Sequence, residues 1–502
     1  MANTASRTNK FDLAKRFTVV CAFILGACAL GYGMVVAGDG PSSKIVGIGV
    51  LLSVALGGAA AILFELPWIL AIRYAFIGSF FFKGDLSLFK INEVEDPSGL
   101  NLSLTLFTAV ILIAYDHFAD GDRESVLPSA FLYLAGGLFI CAAASILLAG
   151  PTLLGGFSLL SVLTSILIAY AVASHFGTRE RLIELTIGIA VGVLFTGVVA
   201  LSQFALDFPS NLPNFGTGTD EELLGTQAEL LSRVPAFLRT PTEMAWVMSS
   251  LIPIVLTPLL CRVKSFGSYQ KTLLAIGALA GTIAVILSLA RGSWVGIIAA
   301  IPLMIVFGWF RLSAHEKKPY FVSVATAIFL TCLMLSPFAG KIYDRLTEDD
   351  QGSAQIRLPL METALRMIDD NPLVGVGLNS YRANMTRYDE TAIFVSQVFP
   401  NPVHNIFAHI TAEIGIPGGI LFCLLILYSF YECYRSSSSS DRLLYALSIG
   451  LAAGMIAFVI SGTKEPGSLG SVRPPVRTCF FMFGTIFALS RVVRRSNLLA
   501  ER

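Results

Sequence analysis

Apolar residues run along this chain in windows about as long as a membrane is thick. Stretches free of charge occupy 17–38, 45–64, 98–115, 185–206, 244–261, 272–290, 292–310, 319–340, 414–431 and 443–463. A helix crosses the hydrocarbon layer with about 20 such residues. The window 125–174 is too long for one crossing and long enough for two, with Gly150-Pro151 as the turn. Two weaker windows complete the series: 66–82 carries Arg73, and 478–493 is short and ends in Arg491. The pattern predicts an all-α polytopic membrane protein of about 12–14 transmembrane helices.

Composition agrees with the pattern. Of 502 residues, 55% are hydrophobic and 14% charged, against a usual charged share of about 25%. Mean hydropathy is +0.72. The net charge of +1 gives no electrostatic reason to expect a nucleic-acid partner. The implied partner is the lipid bilayer. The eight cysteines are scattered, without a CxxC pair, and fit apolar packing.

Loop charge sets the orientation. With Arg7, Lys10, Lys15 and Arg16 inside, the inner loops and tails collect roughly twice the Lys and Arg of the short outer turns, as the positive-inside rule requires. Both termini then lie inside. The first apolar run exceeds a signal-peptide core of about 7–15 residues, so it is expected to be a retained span.

Two outer segments are long. Residues 207–242 are rich in Pro, Gly and Asn and carry Asp220, Glu221 and Glu222; residues 340–403 hold apolar positions at helical spacing. Loops longer than about 15 residues commonly carry function. Within the second, IRLPLMETALRMIDDNP (356–372) predicts a helix with Pro359 in its first turn and a stop at Asp369–Pro372. Arg366 falls on its solvated side. Arg357 shares a side with Met361, Ala364 and Ile368, so it either snorkels from the helix start or points at a buried anion. In LVGVGLNSY (373–381), Gly375 and Gly377 permit a tight turn, or a backbone cradle for phosphate.

Three further features bear on chemistry. The 39 residues 272–310 carry one charge, Arg291. A single helix of that length is about twice the membrane thickness, so the chain must turn near Arg291-Gly292-Ser293, facing outward. A guanidinium there snorkels to the interface or holds a phosphate. Of the five histidines, only His404 and His409 face outward. His409 and Glu413 are four apart and explain each other as a pair on one helix face. His404 has no local partner. An imidazole at the membrane edge titrates near neutrality and can act as a general base. Two cations and one base suit transfer from a diphosphate leaving group, the cations holding the diphosphate and the base taking a proton from an attacking hydroxyl. Such a leaving group requires no metal, and no cofactor is implied.

Taken in order, SLARGSW, RLPLMETALRMIDDNPLVGVGLNSY and HNIFAHITAEIGIPGGILF resemble the O-antigen ligase and polymerase superfamily over about 288–420. The resemblance implies a bacterial inner-membrane glycosyltransferase with both termini cytoplasmic and its active site periplasmic. It divides the chain into an N-terminal bundle (1–287), a catalytic region (288–434) containing the loop 340–403, and C-terminal spans with a tail (435–502). The donor it implies is a glycan on undecaprenyl diphosphate; the acceptor is the lipid A–core for a ligase, or a lipid-linked glycan for an O-antigen or exopolysaccharide polymerase. By the same resemblance Arg291 and Arg357 engage the diphosphate, and His404 activates the acceptor hydroxyl. Asn405 orients the helix start or binds substrate. RTPTEMAW (239–246) matches loosely and adds Arg239 and Glu243 as substrate-binding candidates. A transporter or flippase is the reading from another class. Such proteins place ionisable groups within their spans, where this chain has chiefly Arg73.

Overall fold

The computed structural model of the chain describes residues 68–81, 85–90, 99–119, 126–149, 153–205, 234–238, 240–347, 353–471 and 473–500. The windows 17–38 and 45–64, the Gly150-Pro151 turn, the Asp220–Glu222 patch and Arg239 lie outside the described residues.

The remaining apolar windows are helical, except that 98–115 opens with a short strand before its helix. The first described elements are α1 (Trp68–Gly78), a hairpin of β1 (Asp85–Lys90) and β2 (Gly99–Ser103), and α2 (Leu104–Ala119). The bundle continues through α3 (Ser129–Ala149), α4 (Leu153–His175), α5 (Arg179–Ala205), α6 (Pro241–Leu260), α7 (Ser268–Leu287), α8 (Arg291–Phe310) and α9 (Ala314–Leu335). Next come four helices before the late spans: α10 (Ala339–Thr347), α11 (Ser353–Asp370), α12 (Tyr381–Tyr388) and α13 (Val395–Val398). The chain closes with α14 (Ile406–Ser436), α15 (Arg442–Gly462) and α16 (Pro474–Ala500). Ten of these helices are long and apolar enough to cross a membrane, and α1 and α2 contribute two shorter apolar segments. The fold is that of a polytopic, all-α membrane protein.

Among the described residues, the hairpin is the one departure from an all-helical reading. Asp85 stands opposite Ser103 and Lys90 opposite Gly99, with an irregularity between Ser87 and Phe89. The alternation in DLSLFK and GLNLS has the period of two that a strand requires.

Helix α15 is wrapped by α6 and α8, α16 packs on α4, and α14 packs on α3 and α15. The bundle core is aromatic where these meet, with Trp246, Phe458, Phe480 and Phe483 at most 1% exposed. By contrast α9 buries only Tyr320 and leaves Phe321, Ile328, Phe329 and Leu333 exposed, a surface suited to lipid.

A buried ionic cluster closes one face of the bundle. Arg73 Nε donates to His175 Nε2 (2.8 Å), His175 Nδ1 meets Asp116 Oδ1 (2.8 Å), and Arg73 also pairs with Glu184. The in-span arginine of α1 is thereby neutralised by partners on three other helices, a structural use of an ionisable group at membrane depth.

The other face carries residues 353–403. They form a small hydrophobic core of their own, in which Leu360, Ala364, Met367, Val376, Tyr381, Met385, Val395 and Val403 close over Ala412 of α14. A clip at Asp389 helps to hold α12 and α13 together. Burial pushes this carboxyl up, but hydrogen bonds from Thr391 and Ser396 outweigh it and hold the pKa down to about 2.

Beneath that core α14 is broken. Ile414 and Gly415 leave helical geometry, and Gly415 has φ +77°. The break leaves a short first piece, 406–413, and a run from 416 to 436, about 31 Å long at 1.5 Å per residue, close to the hydrocarbon thickness. The turn after α11 docks into the break. Ile416 N–H donates to Pro372 C=O (2.8 Å), Val376 N–H to Ala412 C=O (2.9 Å) and Gly377 N–H to Glu413 C=O (3.1 Å). The phosphate-cradle alternative for Gly375 and Gly377 is thereby overturned, because the amides at 376 and 377 are consumed by the helix break. Both glycines have positive φ, and a Cβ at Gly415 falls 2.4 Å from the Leu373 carbonyl oxygen. Gly415→Ala is therefore expected to cost about 2 kcal/mol or more, from the left-handed backbone and the collision together. A lowered thermal midpoint of the protein in nanodiscs checks this.

Candidate functional site

The site is built where α14 begins. Asn405 is its N-cap, with the side-chain oxygen accepting from Phe407 N–H (3.0 Å) and Ala408 N–H (3.1 Å). This fixes the chain direction at His404, the residue before it. The Phe399 ring lies 5.7 Å away, centroid to centroid. Nδ1 of His404 is buried without a hydrogen-bond partner. Burial lowers the His404 pKa first, followed by the positive charges of Arg357 and Arg473, with a smaller contribution from His409; the Pro402 carbonyl opposes them. The result is a pKa down to about 4. At neutral pH the ring is uncharged, with a lone pair free to take a proton.

Arg357 reaches this point because of its helix. The inward stripe of α11 runs through Leu360, Thr363, Ala364 and Met367, each at most 0% exposed. Arg357 lies one turn before Leu360, and its Nε is buried without a hydrogen-bond partner. Its charge acts on His404. Arg366 is turned elsewhere, pairing with Glu362 (2.7 Å) and Glu390 (3.4 Å). The helix starts at Ser353, so Pro359 stands further inside than its first turn.

Arg291 is differently placed from the turn that the sequence suggested. The chain turns at Ser288–Ala290, with Leu289 at φ +56°, and Arg291 is the first residue of α8. Trp294 Nε1–H donates to Val285 C=O (2.9 Å) across the turn. Gly292 is therefore helical, and its bareness serves a close approach: a Cβ there meets Lys464 Cβ at 3.0 Å. The segment after Lys464 runs past Ile406, which Gly467 touches, and on to Arg473. Arg291 thus shares the face of His404, while the charges acting on His404 are those of Arg357, Arg473 and His409.

Glu243 stands in the first turn of α6, its N–H capped by Thr240 Oγ1 (3.1 Å). It is 5% exposed, and neither carboxylate oxygen has a hydrogen-bond partner. Arg473 Nη1 lies 3.8 Å from its Oε1, so Glu243 reaches the site through Arg473. The sequence reading passed over Arg473. Its signal was the one that drew attention to Arg291: on the orientation expected from loop charge, an arginine on the side that the positive-inside rule disfavours.

A small cleft nearby is lined by Asn379, Tyr381, Arg382, Pro402, His409, Glu413 and Arg473 among others. His409 Nε2 is 3.2 Å from Glu413 Oε1, as their spacing predicts, and Ser468 Oγ donates to Glu413 Oε2.

These features define a class: a polytopic membrane protein whose one face presents a half-buried imidazole with its pKa lowered by neighbouring arginines, beside a cap of short helices. Residues 276–423 match the family model described as O-Antigen ligase. That match bears out the superfamily resemblance over the segment containing Arg291, Arg357, His404 and Asn405; Glu243 and Arg473 fall outside it. No curated protein matches the chain.

Proposed function

We propose that the protein is a periplasmic glycosyltransferase of the O-antigen ligase type, moving a glycan from undecaprenyl diphosphate to a hydroxyl of the lipid A–core. The observation that carries this reading is His404, uncharged and with Nδ1 unpartnered, beside two arginines that lower its pKa. The acceptor O–H gives its proton to His404, the oxygen attacks the anomeric carbon, and the bond from that carbon to the diphosphate oxygen breaks. Polyprenyl diphosphate leaves with the electron pair. Arg357 stabilises the charge that develops on it, with Arg291 as a second contact further along the leaving group. Asn405 holds the base in register, and Glu243 holds Arg473.

Electrostatics support the division of roles. Arg357 and Arg473 repel a proton from His404 while the site is empty. A diphosphate that neutralises them relieves that repulsion, so the imidazole becomes a stronger base once the donor is in place. A transporter reading gains no support from the in-span charge, since Arg73 is held by His175 and Glu184.

A deletion strain tests the proposal. Lipopolysaccharide and lipid-linked glycans are resolved on gels. Loss of a ligase leaves long polymer on undecaprenyl diphosphate and bare core. Single repeats on the acceptor assign the chain to polymerisation instead, and unchanged profiles of both overturn the reading.

A further inference from the structure

Residues 391–403 lead from α12 through α13 to the start of α14, and they carry no charge. The stretch just before them carries Asp369, Asp370, Arg382, Arg387, Asp389 and Glu390. Within the charge-free run the usual arrangement of a water-facing segment is reversed. Thr391 and Ser396 are buried, and their backbone N–H groups donate to Asp389 at 3.0 and 2.7 Å. Ile393, Phe394 and Val398 are exposed instead, Phe394 at 58%. Phe394 and Val398 are four apart and joined by Val398 N–H to Phe394 C=O (3.2 Å), so they share one side of the turn.

The backbone is held against its preference to do this. Phe394 has φ +50°, a left-handed conformation that bulky residues rarely adopt. It is fixed by Phe394 N–H to Thr391 C=O (3.0 Å) and by Val395 N–H to Thr391 Oγ1 (3.1 Å). A strained residue that leaves a large apolar ring in the open calls for a partner.

The neighbouring span says which partner. Beyond its break, α14 leaves Ile416, Ile420, Leu424 and Leu427 exposed, a stripe at helical spacing that suits lipid. Leu373, 74% exposed, stands at the head of that stripe, in the turn whose Pro372 C=O receives Ile416 N–H. Asn371 Nδ2 of the same turn donates to Tyr388 Oη (2.9 Å). This ties the end of α12, three residues before Thr391, to the level at which α14 enters the bilayer.

We infer that Ile393, Phe394 and Val398 form a membrane-docking knuckle, which seats the cap of residues 353–403 in the headgroup–acyl boundary of the bilayer, with phospholipid as the occupant. A segment without charge, polar inside and apolar outside, has the character of an interfacial anchor. The knuckle also reaches the base. The Phe399 ring lies 5.7 Å from that of His404, and Arg382 Nε donates to Pro400 C=O (2.9 Å). Seating the knuckle therefore sets the height of His404 against the plane in which a lipid-borne diphosphate lies. That role rests on the transferase reading; the lipid contact does not.

The test uses the full chain in nanodiscs of phosphatidylethanolamine and phosphatidylglycerol. The photoreactive p-benzoylphenylalanine replaces Phe394 in one preparation and the exposed Glu362 of α11 in another. After illumination, mass spectrometry identifies what each has captured. Phospholipid adducts are expected at position 394 and not at 362. Capture of a second copy of the chain, or of phospholipid at both positions or at neither, overturns the knuckle. In a deletion strain, Phe394→Asp should lower polymer-bearing lipopolysaccharide about tenfold or more, the scale of a displaced catalytic group, while Phe394→Leu retains it. Val398→Asp, away from the strained position, should repeat the loss with an unchanged thermal midpoint. Lipid capture with full product from both aspartate variants overturns the knuckle's part in positioning His404. A wild-type chain that restores no product counts against the transferase reading and leaves the lipid contact standing.

Discussion

His404→Ala is expected to abolish polymer-bearing lipopolysaccharide in a deletion strain carrying the variant, while the protein accumulates in the membrane at its normal level. A positioned general base contributes about 10²–10⁴-fold to rate, and at the upper end such a loss leaves no visible product on a gel. The fold should tolerate the change, because His404 lies outside α14, and the cap is made by the Asn405 side chain. The Nδ1 atom forms no hydrogen bond whose removal loosens a neighbour. Wild-type product from His404→Ala sinks its role as the base.

The second large effect is at Arg357. Its replacement by glutamine is expected to lower transfer about 10²–10³-fold, the usual cost of removing a fixed charge stabiliser. Lysine should rescue little, since an ammonium lacks the planar fork that meets two phosphate oxygens at once. The same variant carries a pH signature. In the wild type the free-enzyme pKa of His404 is down to about 4, burial being the first cause and Arg357 the second. The base is unprotonated above that value, so kcat/KM should hold from neutrality through pH 5 and fall as pH drops through about 4. Removing the Arg357 charge raises the pKa toward the ordinary histidine value of about 6.5, and the fall then begins at higher pH. An unfolded chain binds a proton on this histidine below about 6.5 while the folded one refuses it until about 4. Acidification across that window therefore also lowers folding stability. An acid limb that stays put in Arg357→Gln separates Arg357 from His404.

Much of this was legible in the sequence, and for a physical reason. Spans follow from local hydrophobicity, because a bilayer imposes one length on every crossing and forces backbone hydrogen bonds to close within each segment. The side of α11 on which Arg357 lies follows from the 3.6-residue period, and the i,i+4 pairing of His409 with Glu413 from the same repeat. The strand alternation at 85–90 and 99–103 was equally local, but the apolar windows around it obscured it.

What the chain could not reveal by itself concerns partners far apart in it. Arg473 joins His404 from a loop beyond the next span, and Glu243 joins Arg473 from α6. The amides of Val376 and Gly377 looked equally suited to a phosphate or a turn until the break at Ile414–Gly415 claimed them. Likewise, helical periodicity paired His409 with Glu413, and only packing placed that pair on the wall of a small cleft. Periodicity and hydropathy are properties of neighbours along the chain, so they fix helices, their faces and their span across the membrane. Which charges share one site depends on how those helices pack, and that was decided by the tertiary structure.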